Sequence, residues 1–326
     1  MTDPDSHLAD EDRSTAEGRP TADDPAPVVL ATDIGTDVDD TWALAQLLRT
    51  PQLDCRLVLT EAGDPTYRAS VAAKLLERAD RIDVPIGLAP EAREMDEGER
   101  NQTPWVDEYD LNDYPGTVRD DGVEAFAEVV TEADEPVTVV SIGPTPTLAA
   151  AVDADPDLAR ECRFVGMHGS FEEGYDGGEP DAETNVRVDP AAFRTVLAAP
   201  WRDVLLTPLD TCGRVTLDGG RYHRVWTATD DPLVRGVVEN NCVFAARVEW
   251  MPYDDFTRRS STLFDSVAVY LAHDESLVET ESVRFDVTDD GFTEPAPDGE
   301  FDARVALAWA DRDAFEAYLT ERLLSR

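Results

Sequence analysis

The sequence predicts an α/β fold with a mostly parallel open sheet covered by helices on both faces. Short apolar runs of strand length alternate with longer segments of helical character. That alternation is what parallel strands joined by crossover helices require. The chemistry-bearing motifs also fall where the strand runs end, which is the rim at which open sheets of this kind bind ligands.

The elements follow in order. Residues 1–26 carry eight acids, two arginines, three prolines and no aromatic residue. Burial there could not offset the entropy of ordering, so the segment reads as a disordered acidic tail. One domain is expected over residues 27–326. Val28-Val29-Leu30-Ala31-Thr32 has the continuous apolar character of a buried parallel strand. The run Asp33 to Asp40 follows, and Thr41 to Leu48 reads as a helix with acids at its positive end. Arg56–Thr60 is the next strand, before a helix over about Pro65–Ala79. Val137–Ile142 precedes a helix opening near Pro146. Arg163–Met167 and Val204–Leu206 are further buried strands, and residues 232–249 are helix-like. Val283–Val287 and Ala303–Ala308 read as strands before a closing helix over Asp311–Leu324. No internal repeat or linker interrupts the chain.

Composition limits the partners. Acids outnumber bases 70 to 28 over 326 residues, giving a net charge of −42, and Lys74 is the only lysine. Such a surface repels nucleic acid and anionic membranes, so neither is expected as a partner. Acids spread along the whole chain also suit a protein kept hydrated in concentrated salt, a halophilic environment. Cys55, Cys162, Cys212 and Cys242 lack metal-ligand spacing and read as buried free thiols. No apolar stretch reaches the roughly 20 residues of a membrane span, and no leader pattern opens the chain, so a cytoplasmic location is expected.

Four aspartates within eight residues at a strand end form an oxygen-rich site suited to a hard divalent cation, Ca²⁺ in particular. The stretch Asp33-Ile34-Gly35-Thr36-Asp37-Val38-Asp39-Asp40-Thr41-Trp42-Ala43-Leu44 resembles the N-terminal signature of the inosine–uridine-preferring nucleoside hydrolase family, in its longer form. Ser141-Ile142-Gly143-Pro144-Thr145-Pro146 resembles the family's glycine-proline turn. Glu183-Thr184-Asn185 with Asp189-Pro190 resembles its sugar-binding Glu-x-Asn segment, and Leu263-Phe264-Asp265-Ser266-Val267 its late metal-ligand segment. The four resemblances come in family order and span roughly residues 28–320.

The resemblance implies a nucleoside hydrolase-like fold, calcium as cofactor, a small nucleoside-like substrate and a possible homo-oligomer. It implies that Asp33 ligates the metal and activates water, that Asp40 and Asp265 are ligands, and that Ile142 offers its backbone carbonyl. It further implies that Asp39 binds a ribose hydroxyl, that Glu183 and Asn185 hold sugar hydroxyls, that Asp64 lies near the sugar and that Met167 lines its pocket. The chemistry agrees, because cleaving an N-glycosidic bond builds positive charge on the sugar, which carboxylates stabilise. The chain departs from the family at three places. Ala31 stands where an acid is usual, Phe264 where many members have histidine, and Gly177 where a sugar-contacting asparagine is expected. These leave open a second reading, a catalytically silent member that binds calcium and a nucleoside. Phosphoryl transfer is disfavoured, since no Gly-rich phosphate loop stands out. Trp105 and Trp250 are candidates for stacking on a base. His168 and Asp210 read equally as structural groups.

Overall fold

The computed structural model describes residues 19–90 and 94–325. Most of the expected tail, residues 1–18, lies outside the described residues. Of its remainder, Thr21 and Asp24 exchange backbone hydrogen bonds of 3.0 and 3.2 Å, and Arg19 pairs with Asp274 at 3.0 Å.

Ten strands form one sheet. They are β1 (Ala26–Thr32), β2 (Leu53–Thr60), β3 (Ile86–Gly87), β4 (Val118–Arg119), β5 (Val137–Ser141), β6 (Cys162–Gly166), β7 (Val204–Leu206), β8 (Val278–Val287), β9 (Thr293–Pro295) and β10 (Phe301–Trp309). Their order is β4-β3-β2-β1-β5-β6-β7-β10-β8-β9. Every pairing from β4 across to β10 is parallel, and β8 alone runs antiparallel, to β10 and β9.

Side-chain alternation along the strands divides the core into two layers. In β1, Val28 and Leu30 face one layer, and Val29 and Ala31 the other. The first layer is covered by helices Asp39–Leu48, Pro65–Arg78, Pro232–Ala245, Asp265–Leu271 and Arg312–Leu324, through residues such as Trp42, Leu75, Val237, Val269 and Phe315. The second is covered by Gly122–Glu132, Pro146–Ala154 and Pro190–Ala198, through Phe126, Leu148 and Phe193. A parallel sheet buried on both faces needs the near-continuous apolar strands that the sequence supplies.

β1 is the pivot of this topology. Leu30 lies opposite Val58 of β2 on one side and Val140 of β5 on the other. Since β2 to β4 build outward one way and β5 onward the other, the strand order reverses beside β1. A crevice opens at the carboxyl ends of strands flanking such a reversal. There β1 delivers Asp33, β5 delivers Ile142 and β6 delivers Met167.

Candidate active site

Beyond Thr32 the chain turns sharply. Gly35 has φ +112°, and a Cβ there would lie 2.7 Å from the Tyr67 ring. Only glycine accepts both that conformation and that approach. The Tyr67 hydroxyl donates to the Gly35 carbonyl at 2.9 Å and receives the Gln102 amide at 3.0 Å. The chain then enters helix Asp39–Leu48, whose first turn presents Asp39 and Asp40 to the positive end of the helix. The Thr32 hydroxyl donates to Asp40. Helix Asp265–Leu271 packs against this helix, tied by Gln46 Nε2 donating to the Ser266 carbonyl at 3.1 Å, and the Asp265 amide donates to the Asp39 carboxylate at 3.3 Å.

Carboxylate oxygens of Asp39, Asp40 and Asp265 consequently lie within 4.8 Å of one another, and all three side chains are buried. Burial is the main cause pushing each carboxyl well above its ordinary range. Next come Asp37 acting on Asp39, Asp33 on Asp40, and Asp39 on Asp265. Buried carboxylates at this spacing ionise together only when a cation neutralises them, and otherwise hold protons. An all-oxygen donor set suits a hard cation such as calcium or magnesium, so these residues fit a divalent metal.

Asp33 stands beside the trio and is clamped by Arg68. This arginine is 1 % exposed, and its guanidinium lies 3.6 Å from the Asp33 carboxylate. It also donates to the carbonyls of Asp33, Ala62 and Ile34, the last at 3.0 Å, and to the Thr36 hydroxyl at 3.2 Å. From β5, Gly143 approaches so closely that a Cβ would sit 2.7 Å from the Asp33 nitrogen.

These groups border a cavity of about 290 Å³ lined by Asp33, Asp39, Asp40, Ile142, Met167, Glu183, Asn185 and Asp265, among others. The sequence resemblance named all eight. Glu183 caps helix Thr184–Val188, accepting from the amides of Asn185 at 2.7 Å, Val186 at 3.2 Å and Gly169 at 3.2 Å; burial pushes its carboxyl up to about 7. Asn185 Nδ2 donates to the Met167 carbonyl at 3.0 Å. Asp64, expected near the sugar, does not line the cavity. It caps helix Pro65–Arg78 through the amides of Thr66 and Tyr67, and pairs with Arg100 at 2.6 Å. A proline at the first helical position makes residue 64 the natural cap, which uses its carboxylate locally.

Residues 28–316 match the family model described as inosine-uridine preferring nucleoside hydrolase. The chain belongs to this family. It is 30 % identical over 225 residues to the pyrimidine-specific ribonucleoside hydrolase RihA of Salmonella agona, covering 65 % of this chain and 69 % of that one. It is 31 % identical over 199 residues to the RihA of Photobacterium profundum, covering 57 % and 60 %. Its fold matches the plant nucleoside hydrolase PpNRh1 with a TM-score of 0.76 at 22 % identity, over 93 % of this chain and 100 % of that one. The inosine-uridine preferring nucleoside hydrolase of Bacillus anthracis matches with a TM-score of 0.72 at 18 % identity, over 91 % and 99 %. The chain is thus an N-glycoside hydrolase acting on small nucleoside substrates, of a metal-dependent family. Among the described residues, no helix is long and apolar enough to cross a membrane.

For a nucleoside hydrolase the rest of the lining is informative. Phe264 borders the cavity, its ring 6.0 Å from that of Tyr175. His168 does not line it: the side chain is fully buried, stacks on Phe193 at 4.6 Å, and places Nε2 3.0 Å from the Gly143 carbonyl. Burial lowers its pKa to about 3, which keeps the ring neutral. Asp210 supports a loop, accepting from the amides of Phe171, Glu172 and Glu173 at 2.7–3.0 Å. Trp105 is buried and bonded to Glu239, whereas exposed Trp250 lines an adjoining chamber. Gly177 is outside the lining, and Asp37, Tyr175, Asp181 and Arg187 are within it.

The sequence reading missed Arg68, Tyr175, Asp181 and Arg187, whereas Asp37 belongs to the aspartate cluster it singled out. Arg68 did leave a signal. It shares a helical stripe with Val71, Ala72, Leu75 and Leu76, all buried. An arginine on an apolar stripe must find buried acceptors, and here they are the acid loop. Tyr175 and Asp181 sit in an irregular loop and left none.

Proposed function

We propose that this protein hydrolyses the N-glycosidic bond of a ribonucleoside in a calcium-dependent reaction, with Asp33 as the base that takes a proton from water. The convergence of Asp39, Asp40 and Asp265 beside Asp33, at the floor of a cavity of sugar-binding size, carries this reading. Asp39, Asp40 and Asp265 would hold the cation, joined by the Asp33 carboxylate and the Ile142 carbonyl. When bound, the cation would supply the positive charge that orients and acidifies a water molecule and the sugar diol.

The chain's own residues account for the remainder. Asp33, steadied by Arg68 and by the close passage of Gly143, accepts the proton. General-base catalysis of this kind contributes about 10²–10⁴-fold. Glu183 and Asn185 hold sugar hydroxyls from the opposite wall, with Met167 packing on the ring. Carboxylates on several sides oppose little cost to positive charge growing at the sugar carbon, and favour it in a site of low dielectric. The assignment of Asp39 deepens relative to the sequence reading, since one oxygen can ligate while the other meets a ribose hydroxyl.

Two features favour a second reading, a silent binder of calcium and nucleoside. Phe264 offers no proton to a departing base, and Ala31 replaces an acid. Base release from a nucleoside panel, followed by ultraviolet absorbance with and without chelator, separates the two. Hydrolysis abolished by chelator, and by Asp33→Ala in calcium, supports the enzyme. Tight nucleoside binding without release supports the binder. A cytoplasmic, halophilic setting accords with the acidic surface, and growth of activity in molar salt tests it.

A further inference from the structure

A second chamber of about 440 Å³ adjoins the sugar cavity, and the two share Asp37, Tyr175 and Phe264 in their walls. Beyond those residues it is walled by Trp250, Met251 and Arg259. Trp250 and Tyr175 are each more than half exposed, an unusual state for large aromatic side chains. Among the described residues the Arg259 guanidinium has no carboxylate partner, although the chain carries 70 acids. An exposed guanidinium with no carboxylate partner, in a chamber whose one carboxylate is Asp37, is available to receive negative charge from a ligand.

We propose that this chamber holds the departing base, and that Arg259 stabilises the charge which develops on it. The inference rests on the hydrolase reading. When the C1′–N bond breaks, its electron pair moves onto the base nitrogen, and water oxygen bonds to C1′ as Asp33 takes the water proton. The base then gains a proton from solvent, which gives ribose and neutral base. Phe264 presents only carbon to that charge, and the Tyr175 hydroxyl lies 3.4 Å from the Thr262 hydroxyl. Arg259 is the cationic donor in the chamber wall, and it acts by hydrogen bonding without giving up a proton. A guanidinium fork matches two adjacent acceptors, such as O6 and N7 of a 6-oxopurine, whereas the 6-amino group of adenine opposes donor to donor. The substrate class is therefore a 6-oxopurine ribonucleoside, inosine or guanosine.

The test compares inosine, adenosine and 4-nitrophenyl β-D-ribofuranoside, whose nitrophenolate leaves without assistance. The parent should prefer inosine to adenosine by about 10-fold or more. Arg259→Ala should lower kcat for inosine by about 100-fold, the scale for losing one donor to a developing anion. The same variant should hydrolyse the nitrophenyl riboside at close to the parent rate, and Arg259→Lys should restore part of the inosine rate. Equal losses on all three substrates, or an unchanged inosine rate, would overturn the assignment of Arg259. A parent that cleaves the nitrophenyl riboside and adenosine but not inosine would overturn the substrate class alone. A parent that cleaves none of them would instead overturn the hydrolase reading beneath it.

Discussion

Gly143 offers a direct test of how closely the reaction depends on the placement of Asp33. A methyl group at residue 143 would lie 2.7 Å from the Asp33 nitrogen, 2.9 Å from its Oδ1 and 3.0 Å from its Cβ. The first of these is 0.7 Å short of ordinary contact at 3.4 Å, and the atoms it meets include backbone. Gly143→Ala must therefore push the end of β1 and the acid loop away from β5. Overpacking of this kind costs about 1–3 kcal/mol. A displacement of about 1 Å in a reacting group costs about 100-fold in rate. We expect kcat/KM to fall between about 10- and 100-fold, with a fall in Tm of about 2–4 °C for each kcal/mol lost. Steady-state base release and thermal melting measure both quantities. Gly98→Ala is the control, since a Cβ there meets nothing within 4 Å. Gly143→Ala at twice or half the parent rate would refute the argument that Asp33 is held in place by this contact.

Three further outcomes follow from buried groups. Arg68→Met removes the guanidinium that lies 3.6 Å from the Asp33 carboxylate together with its hydrogen bonds to three loop carbonyls, and should cost about 3–5 kcal/mol in urea unfolding. Glu61 is buried, accepts from the amides of Thr147 and Leu148, and has its carboxyl pushed from 4.5 up to about 8, chiefly by burial. The folded protein then holds a proton that the unfolded chain releases, so this group's contribution to stability falls as pH rises from about 4.5 to 8. Glu61→Gln should flatten that part of the profile of urea midpoint against pH. Asp210→Ala strands three amides of the loop that leads to Tyr175, and hydrogen exchange at Phe171–Glu173 should accelerate while KM rises.

The legible parts of this molecule are those where one physical rule dominates. The strands β1, β5, β6 and β7 are buried on both faces and read as continuous apolar runs, so their positions were evident within a residue or two. The two-residue strands β3 and β4 are too short to show a period. In β8, Glu279, Glu281, Ser282, Arg284 and Asp286 break up the apolar pattern over its half-exposed length, so only its end was seen. At the site, Asp33 and Asp40 were recognisable from the crowding of four carboxylates at a strand end, and Asp265 from the family resemblance of its segment. Asp64 shows the limit of that resemblance, since a carboxylate before a proline is also a helix cap. Tyr175 and Arg259 lie in loops whose course no local pattern determines, and only the fold brings them to the mouth of the site.

At the centre of the site, one cation is expected to gather residues distant in sequence, Asp39, Asp40 and Asp265. Calorimetric titration of chelator-treated protein with calcium tests this, using the parent, Asp265→Ala and the exposed control Asp254→Ala. The prediction is one calcium per chain for the parent and for Asp254→Ala, with binding lost or weakened about 100-fold in Asp265→Ala. Unchanged stoichiometry and affinity in Asp265→Ala would contradict it.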